Sequence, residues 1–88
     1  MTRPVALVTG GARRIGRAIV LDLARHGFDV VIHCNRSTDE AEALAAGIRT
    51  GNVRAAVVSA DLGDFDTIAR IVPEAVSALG PLTLLVNN

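Results

Sequence analysis

"VTGGARRIG", Val8 to Gly16, is the stretch that decides how this chain folds. It follows a short apolar run rich in Val, Pro4 to Thr9, and precedes a helical pattern from Arg14 to His26, so its glycines occupy a strand-to-helix turn. Such a turn is a ready anion site, because the first amides of a helix lack partners inside it and the helix dipole turns its positive end toward them. Gly10 and Gly11 keep side chains out of the crevice, and Gly16 lets the helix pack closely on the strands. A sharp turn alone needs only the glycine pair; the added arginines, Arg13 and Arg14, point to a phosphate.

Outward from that turn, the first helix places Ile15, Ala18, Ile19 and Leu23 on one face and stops at Gly27. "FDVVIHC", Phe28 to Cys34, is a second strand. Ser37 stands three residues ahead of Glu40, the capping-box spacing, and opens a helix through Ala41, Leu44, Ala45 and Ile48 that ends at Gly51-Asn52. Val53 to Leu62 contains the third strand. Asp64 is the N-cap of a third helix with Phe65, Ile68, Ala69, Val72, Val76 and Leu79 in one stripe, and Pro73 predicts a kink or a broken turn within it. Gly80-Pro81 closes that helix, and "LTLLVNN" is a fourth strand.

The order is βαβαβαβ with helix-length spacers, which parallel strands require. The fold class is therefore α/β, a Rossmann-type doubly wound parallel sheet with strand order 3-2-1-4, and the expectation is that the 88 residues are the N-terminal cofactor-binding part of a single domain. In that order the fourth strand, with Leu82, Leu84, Leu85 and Val86, is an exposed apolar edge, so the expectation is that the rest of the same protein or a companion chain covers it.

Composition excludes several classes. Half of the residues are apolar and 2% aromatic, as in a core of Val, Ile, Leu and Ala, and the formal charge of zero gives no basis for wholesale binding to nucleic acid or an anionic membrane. All nine Lys+Arg residues are Arg, and Tyr is absent. Cys34, the single cysteine, reads as packing and allows neither an intrachain disulfide nor a multi-cysteine metal site, so no metal is expected. The apolar run after Met1 to Pro4 is too short for a signal peptide and no segment reaches the length of a membrane span, which gives a cytoplasmic expectation.

The turn is not a P-loop, since no Gly-Lys-Ser/Thr follows, and the glycines at 10, 11 and 16 do not fit the ordinary G-x-G-x-x-G fingerprint. "TGGARRIG" resembles the T-G-x-x-x-G-x-G signature of the short-chain dehydrogenase/reductase family at Thr9, Gly10 and Gly16, with Arg14 in place of the middle glycine. T-G-x-x-x-R-x-G resembles the pteridine reductase branch of that family, and "HCNRS", His33 to Ser37, is similar to that branch's H-x-x-R-S segment. "ADL", Ala60 to Leu62, resembles the family's adenine contact, and "LLVNN" resembles the start of its N-N-A-G motif.

The resemblance implies NADP(H) as cofactor and a small-molecule substrate, with a pteridine favoured, a carbonyl or oxoacyl thioester the alternative, and a tetrameric homo-oligomer as the full protein. It implies that Arg14 reaches the cofactor phosphates and the substrate pocket. The implied catalytic elements are a serine and a Tyr-x-x-x-Lys; the chain has neither Tyr nor Lys, so no catalytic residue is assigned and the chain alone is expected to catalyse nothing. A reading of another class is a non-catalytic NADP(H)-binding module. A methyltransferase of the S-adenosylmethionine type would want an acid at the end of the second strand, where Arg36 stands.

An acid near that place also marks NAD binding, through the ribose 2′-hydroxyl. Arg36 offers a donor fork to a 2′-phosphate instead, with Ser37 adding a hydroxyl at a helix start. Of His33 and Asn35, one lines the cofactor edge while the other finishes the strand. Asp61 is either the acceptor for the adenine amino group, with Leu62 beside it, or a turn residue before Gly63. Asn88 is the better placed of the two terminal asparagines for the cofactor. The cofactor residues expected are thus Gly10, Arg13, Arg14, Ile15, Gly16, His33, Asn35, Arg36, Ser37, Asp61, Leu62 and Asn88, while His26 is structural at its helix end.

Overall fold

A computed structural model describes residues 3–88; Met1 and Thr2, part of the short start read above, lie outside the described residues. The elements are β1 (Val5–Val8), α1 (Arg14–Arg25), β2 (Asp29–Cys34), α2 (Thr38–Arg49), β3 (Ala55–Ser59), α3 (Phe65–Leu79) and β4 (Leu84–Val86). All pairings are parallel and the order is β3-β2-β1-β4, as the spacing of the strand-like runs required. β1 and β2 are buried along their whole length, which explains why they read as continuous apolar runs. Residues alternate between two cores. Val8, Val30 and Ile32 pack with Val20, Leu44 and Ile48 under α1 and α2, while Leu7, Val31 and Val58 pack with Ile71, Ala75 and Leu79 under α3.

Helix faces differ from the expected ones. In α1 the buried residues are Gly16 and Val20, with Ile19, Leu23 and Ala24 partly covered, whereas Ile15 is 70% exposed and Ala18 faces solvent. The close approach at Gly16 decides the rotation: the line without a side chain must face the turn, which sends its neighbour Ile15 outward. In α3 the apolar residues form two lines, and only Ile71, Ala75 and Leu79 are buried. Phe65, Ile68, Val72 and Val76 are exposed on a helix with more apolar residues than this part of the sheet covers.

Capping follows the sequence at one helix and departs from it at another. The Asp64 carboxylate accepts the Asp66 N–H at 3.0 Å, as an N-cap should. At α2 the capping box does not form: Ser37 is the N-cap residue but its hydroxyl makes no cap bond, and Glu40 turns toward Arg13, Oε2 to Nε 3.4 Å. α3 also continues unbroken through Pro73, which lies on its exposed side, where the carbonyl deprived of its partner can turn to water. β4 is the edge of the sheet, three residues long, and Leu85 is 56% exposed. No described helix is long and apolar enough to cross a membrane.

Candidate functional site

At the carboxyl ends of the strands, the peptide of Gly10 is held from three directions. Its φ of +60° is in the left-handed region, which a glycine adopts without steric cost. Its N–H donates to His33 Nδ1 at 3.0 Å, and the next amide, Gly11 N–H, donates to the His33 carbonyl at 2.9 Å. Its carbonyl accepts from Asn88 Nδ2 at 3.2 Å. Gly16 is packed against the same peptide: a Cβ there would lie 2.0 Å from the Gly10 oxygen and 2.7 Å from Asn88 Nδ2. Thr9 ties the turn to β4, its hydroxyl accepting the Asn88 N–H at 2.9 Å and approaching Asn87 Oδ1 at 3.2 Å.

The glycine amides thus point inward, and the donors left for a ligand are those of the helix. Arg14, Ile15 and Gly16 form the first turn of α1, so their N–H groups have no carbonyl within the helix to bond, and no acidic side chain sits in that turn. Beside them is a cavity of about 300 Å³ lined by Gly10, Ala12, Arg13, Cys34, Asn35, Arg36 and Ser37. Among the described residues Arg36 makes no ion pair, and Arg13 makes only the exposed contact to Glu40. A cationic cavity with an uncommitted guanidinium, a hydroxyl and free helix amides suits a phosphorylated ligand.

Arg14 departs from the expected convergence. It does not line the cavity with Arg36; it lines a neighbouring one of about 390 Å³ between α1 and α2, with Arg17, Glu40, Leu44 and Arg13, which borders both cavities. Its φ is +54°, and it is the one non-glycine with positive φ among the described residues. The left-handed region costs an ordinary side chain about 1–2 kcal/mol, so Arg14 sits on backbone that a glycine would adopt freely.

Of the pair His33 and Asn35, His33 is the one that belongs to the strand, and it lines no part of this cavity. It is 1% exposed, with Nδ1 on Gly10 and Nε2 within 2.9 Å of the Ala60 carbonyl, so it supports the turn from beneath while the exposed Asn35 borders the cavity. Asp61 takes the turn role, Oδ1 accepting the Gly63 N–H at 2.8 Å, which leaves its other carboxylate oxygen free at the surface beside exposed Leu62. The end of β3 is tied to that of β2 by Ala60 N–H to the Cys34 carbonyl, 3.0 Å, so Asp61 belongs to the same rim. His26 caps its own helix, Nδ1 lying 2.8 Å from the Asp22 carbonyl. Sequence reasoning gave Thr9 no role in the site, although a hydroxyl directly before the glycine pair was a signal. It also passed over the Asp29–Arg54 pair at the opposite rim. Among the described residues no group of three or more His, Cys, Asp or Glu could hold a metal ion.

The sequence pattern of the short chain dehydrogenase family matches residues 4–88. The chain belongs to that family. A solved structure of FolM Alternative dihydrofolate reductase 1 from Brucella canis, complexed with NADP, superposes with a TM-score of 0.92 at 55% identity, over 97% of this chain and 34% of that one. A short chain dehydrogenase from Burkholderia cenocepacia in complex with NADP gives 0.90 at 42% identity, over 99% and 35%. The 3-oxoacyl-[acyl-carrier-protein] reductase FabG of Staphylococcus aureus is 40% identical over 83 residues, 94% of this chain and 34% of its own length. The chain spans about a third of the length of these relatives.

Proposed function

We propose that this chain is the NADP(H)-binding part of a reductase that transfers hydride to a small planar substrate such as a pteridine. The observation that carries the cofactor is the Arg36 cavity: exposed Arg13 and Arg36 with half-buried Ser37, and no carboxylate among the lining residues. The 2′-phosphate of NADP(H) would sit against Arg36 and Ser37, the pyrophosphate against the first turn of α1, and the adenine beside Asp61 and Leu62. Asn88 would act through the Gly10 peptide and the ribose next to it. Ile15, exposed beside its own free amide, would contact the cofactor from the helix start. The bound cofactor supplies the hydride; the residues described here bind and orient it. Relatives crystallised with NADP support this reading.

The pteridine preference rests on Arg14 in place of the middle glycine and on "HCNRS", and it gains support from the likeness to a dihydrofolate reductase of the same family, since dihydrofolate carries a reduced pterin. The FabG likeness favours a second reading, reduction of an oxoacyl thioester. The exposed edge of β4, with Leu85, fits coverage by further chain of the same protein, which would belong to a cytoplasmic homo-oligomer. The test is NADPH oxidation by the intact protein with dihydropteridine, dihydrofolate and acetoacetyl thioester offered separately. Turnover of the pterins at the higher kcat/KM supports the proposal, and turnover of the thioester alone replaces it with the second reading. NADPH binding without turnover of any carbonyl or C=N substrate would leave a cofactor-sensing module.

A further inference from the structure

The side chain at the centre of the site's framework is one that touches no ligand cavity. His33 ends in an imidazole buried between β1 and β3, and each ring nitrogen meets a backbone group from a different loop: Gly10 N–H at Nδ1, 3.0 Å, and the Ala60 carbonyl at Nε2, 2.9 Å. The partners fix the tautomer. An amide can only donate, so Nδ1 must be without a proton; a carbonyl can only accept, so the ring proton is on Nε2. The main chain of the same residue accepts the Gly11 N–H, so one residue captures both amides of the glycine pair. Ala60 immediately precedes Asp61 and Leu62.

We propose that His33 is a positioning residue for the cofactor, setting the distance between the glycine turn and the Asp61–Leu62 loop through its Nε2–H tautomer. This rests on the NADP(H) reading above. The Gly10 oxygen has no room to move toward Gly16, because even a Cβ there would lie 2.0 Å away. Gly10 is therefore pinned on its carbonyl side by α1 and Asn88 and on its amide side by His33. Releasing the amide lets the turn pivot, and with it the start of α1, whose first amides face the ligand. Because the pyrophosphate and the adenine are common to both nicotinamide cofactors, His33 must affect NADPH and NADH alike, unlike Arg36, which meets the 2′-phosphate.

The experiment compares His33→Phe, His33→Asn and the wild type in the intact protein, by dissociation constants for NADPH and NADH. Phe keeps the ring volume and loses both bonds, whereas Asn keeps an acceptor near the place of Nδ1. Orphaning the buried Gly10 donor lowers stability, and the turn it frees must be re-ordered when a cofactor binds, so the Phe variant is expected to bind both cofactors about tenfold more weakly with their ratio unchanged, and Asn to recover most of that loss. Long-range proton–nitrogen NMR of the ring is expected to show the Nε2–H tautomer, bound and free. A folded Phe variant with wild-type affinities, a changed cofactor ratio, or an Nδ1–H ring overturns the proposal. If the Phe variant fails to fold, the Asn variant and the ring spectrum decide. Wild-type protein that binds neither cofactor would refute the NADP(H) reading itself, a result separate from any difference between variants.

Discussion

At the amino rim of the sheet, the buried Asp29 carboxylate accepts the Arg54 backbone N–H at 2.8 Å and takes its Nε and a terminal nitrogen each at 2.9 Å; Arg54 then donates to the Leu79 carbonyl at 3.0 Å. At the carboxyl rim, Arg36 faces a cavity without an ion-pair partner among the described residues, and the first amides of α1 have none within their helix. The same strands run through both rims. One rim matches its donors with acceptors, and α3 ends against it; the other keeps its buried groups matched but leaves charge and amides at the surface. Unmatched polar groups mark the end that meets a ligand, and the opposite end serves stability.

The largest effect that can sharpen this contrast is at Gly16. Gly16→Ala puts a methyl on the Gly10 carbonyl, a backbone atom that His33 and Asn88 prevent from yielding. Overpacking of that kind costs about 3 kcal/mol, so both the denaturation midpoint and NADPH binding of the intact protein are expected to fall together. Unchanged stability would mean that the turn is looser than the structure shows.

Next comes the amino rim. Asp29→Ala removes an acceptor of charge-assisted bonds and orphans the Arg54 amide, a loss of about 2–3 kcal/mol by urea denaturation. NADPH affinity, measured on the fraction that remains folded, is expected to stay at the wild-type value. A parallel loss of affinity would break the division between the two rims.

At the carboxyl rim, Arg36→Asp reverses those expectations, leaving stability within about 0.5 kcal/mol as for an exposed substitution. One charge-assisted contact amounts to about 1.5–3 kcal/mol, so NADPH is expected to bind roughly ten- to a hundredfold more weakly. NADH should be unaffected or tighter, since a carboxylate accepts from the 2′-hydroxyl. Dissociation constants at one fixed salt concentration check this, because screening weakens any exposed phosphate contact. Equal affinities in the wild type would remove Arg36 from the site.

How far the sequence could be read follows the same physics. The strands, their order and the glycine turn were legible because each depends on local composition and spacing: apolar runs in β1 and β2, glycines at fixed places, helix-length spacers. The face of a helix was not legible where apolar residues exceed one stripe. Ile15 looked like core by its spacing, yet a contact with the Gly10 carbonyl, made possible by a missing side chain at Gly16, turned it outward. His33 fell within a recognisable motif, but whether an imidazole faces a ligand or supports a loop depends on β3, which is distant in sequence. Ser37 and Glu40 have capping-box spacing, and competition from Arg13 for Glu40 is a tertiary effect that spacing does not carry.

The smallest expected effect is at Arg14, and it separates strain from function. With φ at +54°, a side chain here costs about 1–2 kcal/mol that a glycine does not incur, while glycine loses some of that advantage through the greater freedom of the unfolded chain. Arg14→Gly is therefore expected to stabilise the intact protein by about 0.5–1 kcal/mol, read as a higher denaturation midpoint. Arg14 lines the cavity with Arg17 and Glu40 rather than the one with Arg36, so the ratio of NADPH to NADH affinity is expected to be unchanged. If Arg14 serves the substrate as the pteridine reading requires, kcat/KM for a dihydropteridine falls in the same variant that gained stability, and an oxoacyl thioester is affected less. A stabilised variant with undiminished pteridine turnover would show that the strain serves no purpose in that reaction and would shift the balance to the thioester reading. A destabilised variant would mean that the Arg14 side chain contributes more to holding α1 against α2 than its backbone costs.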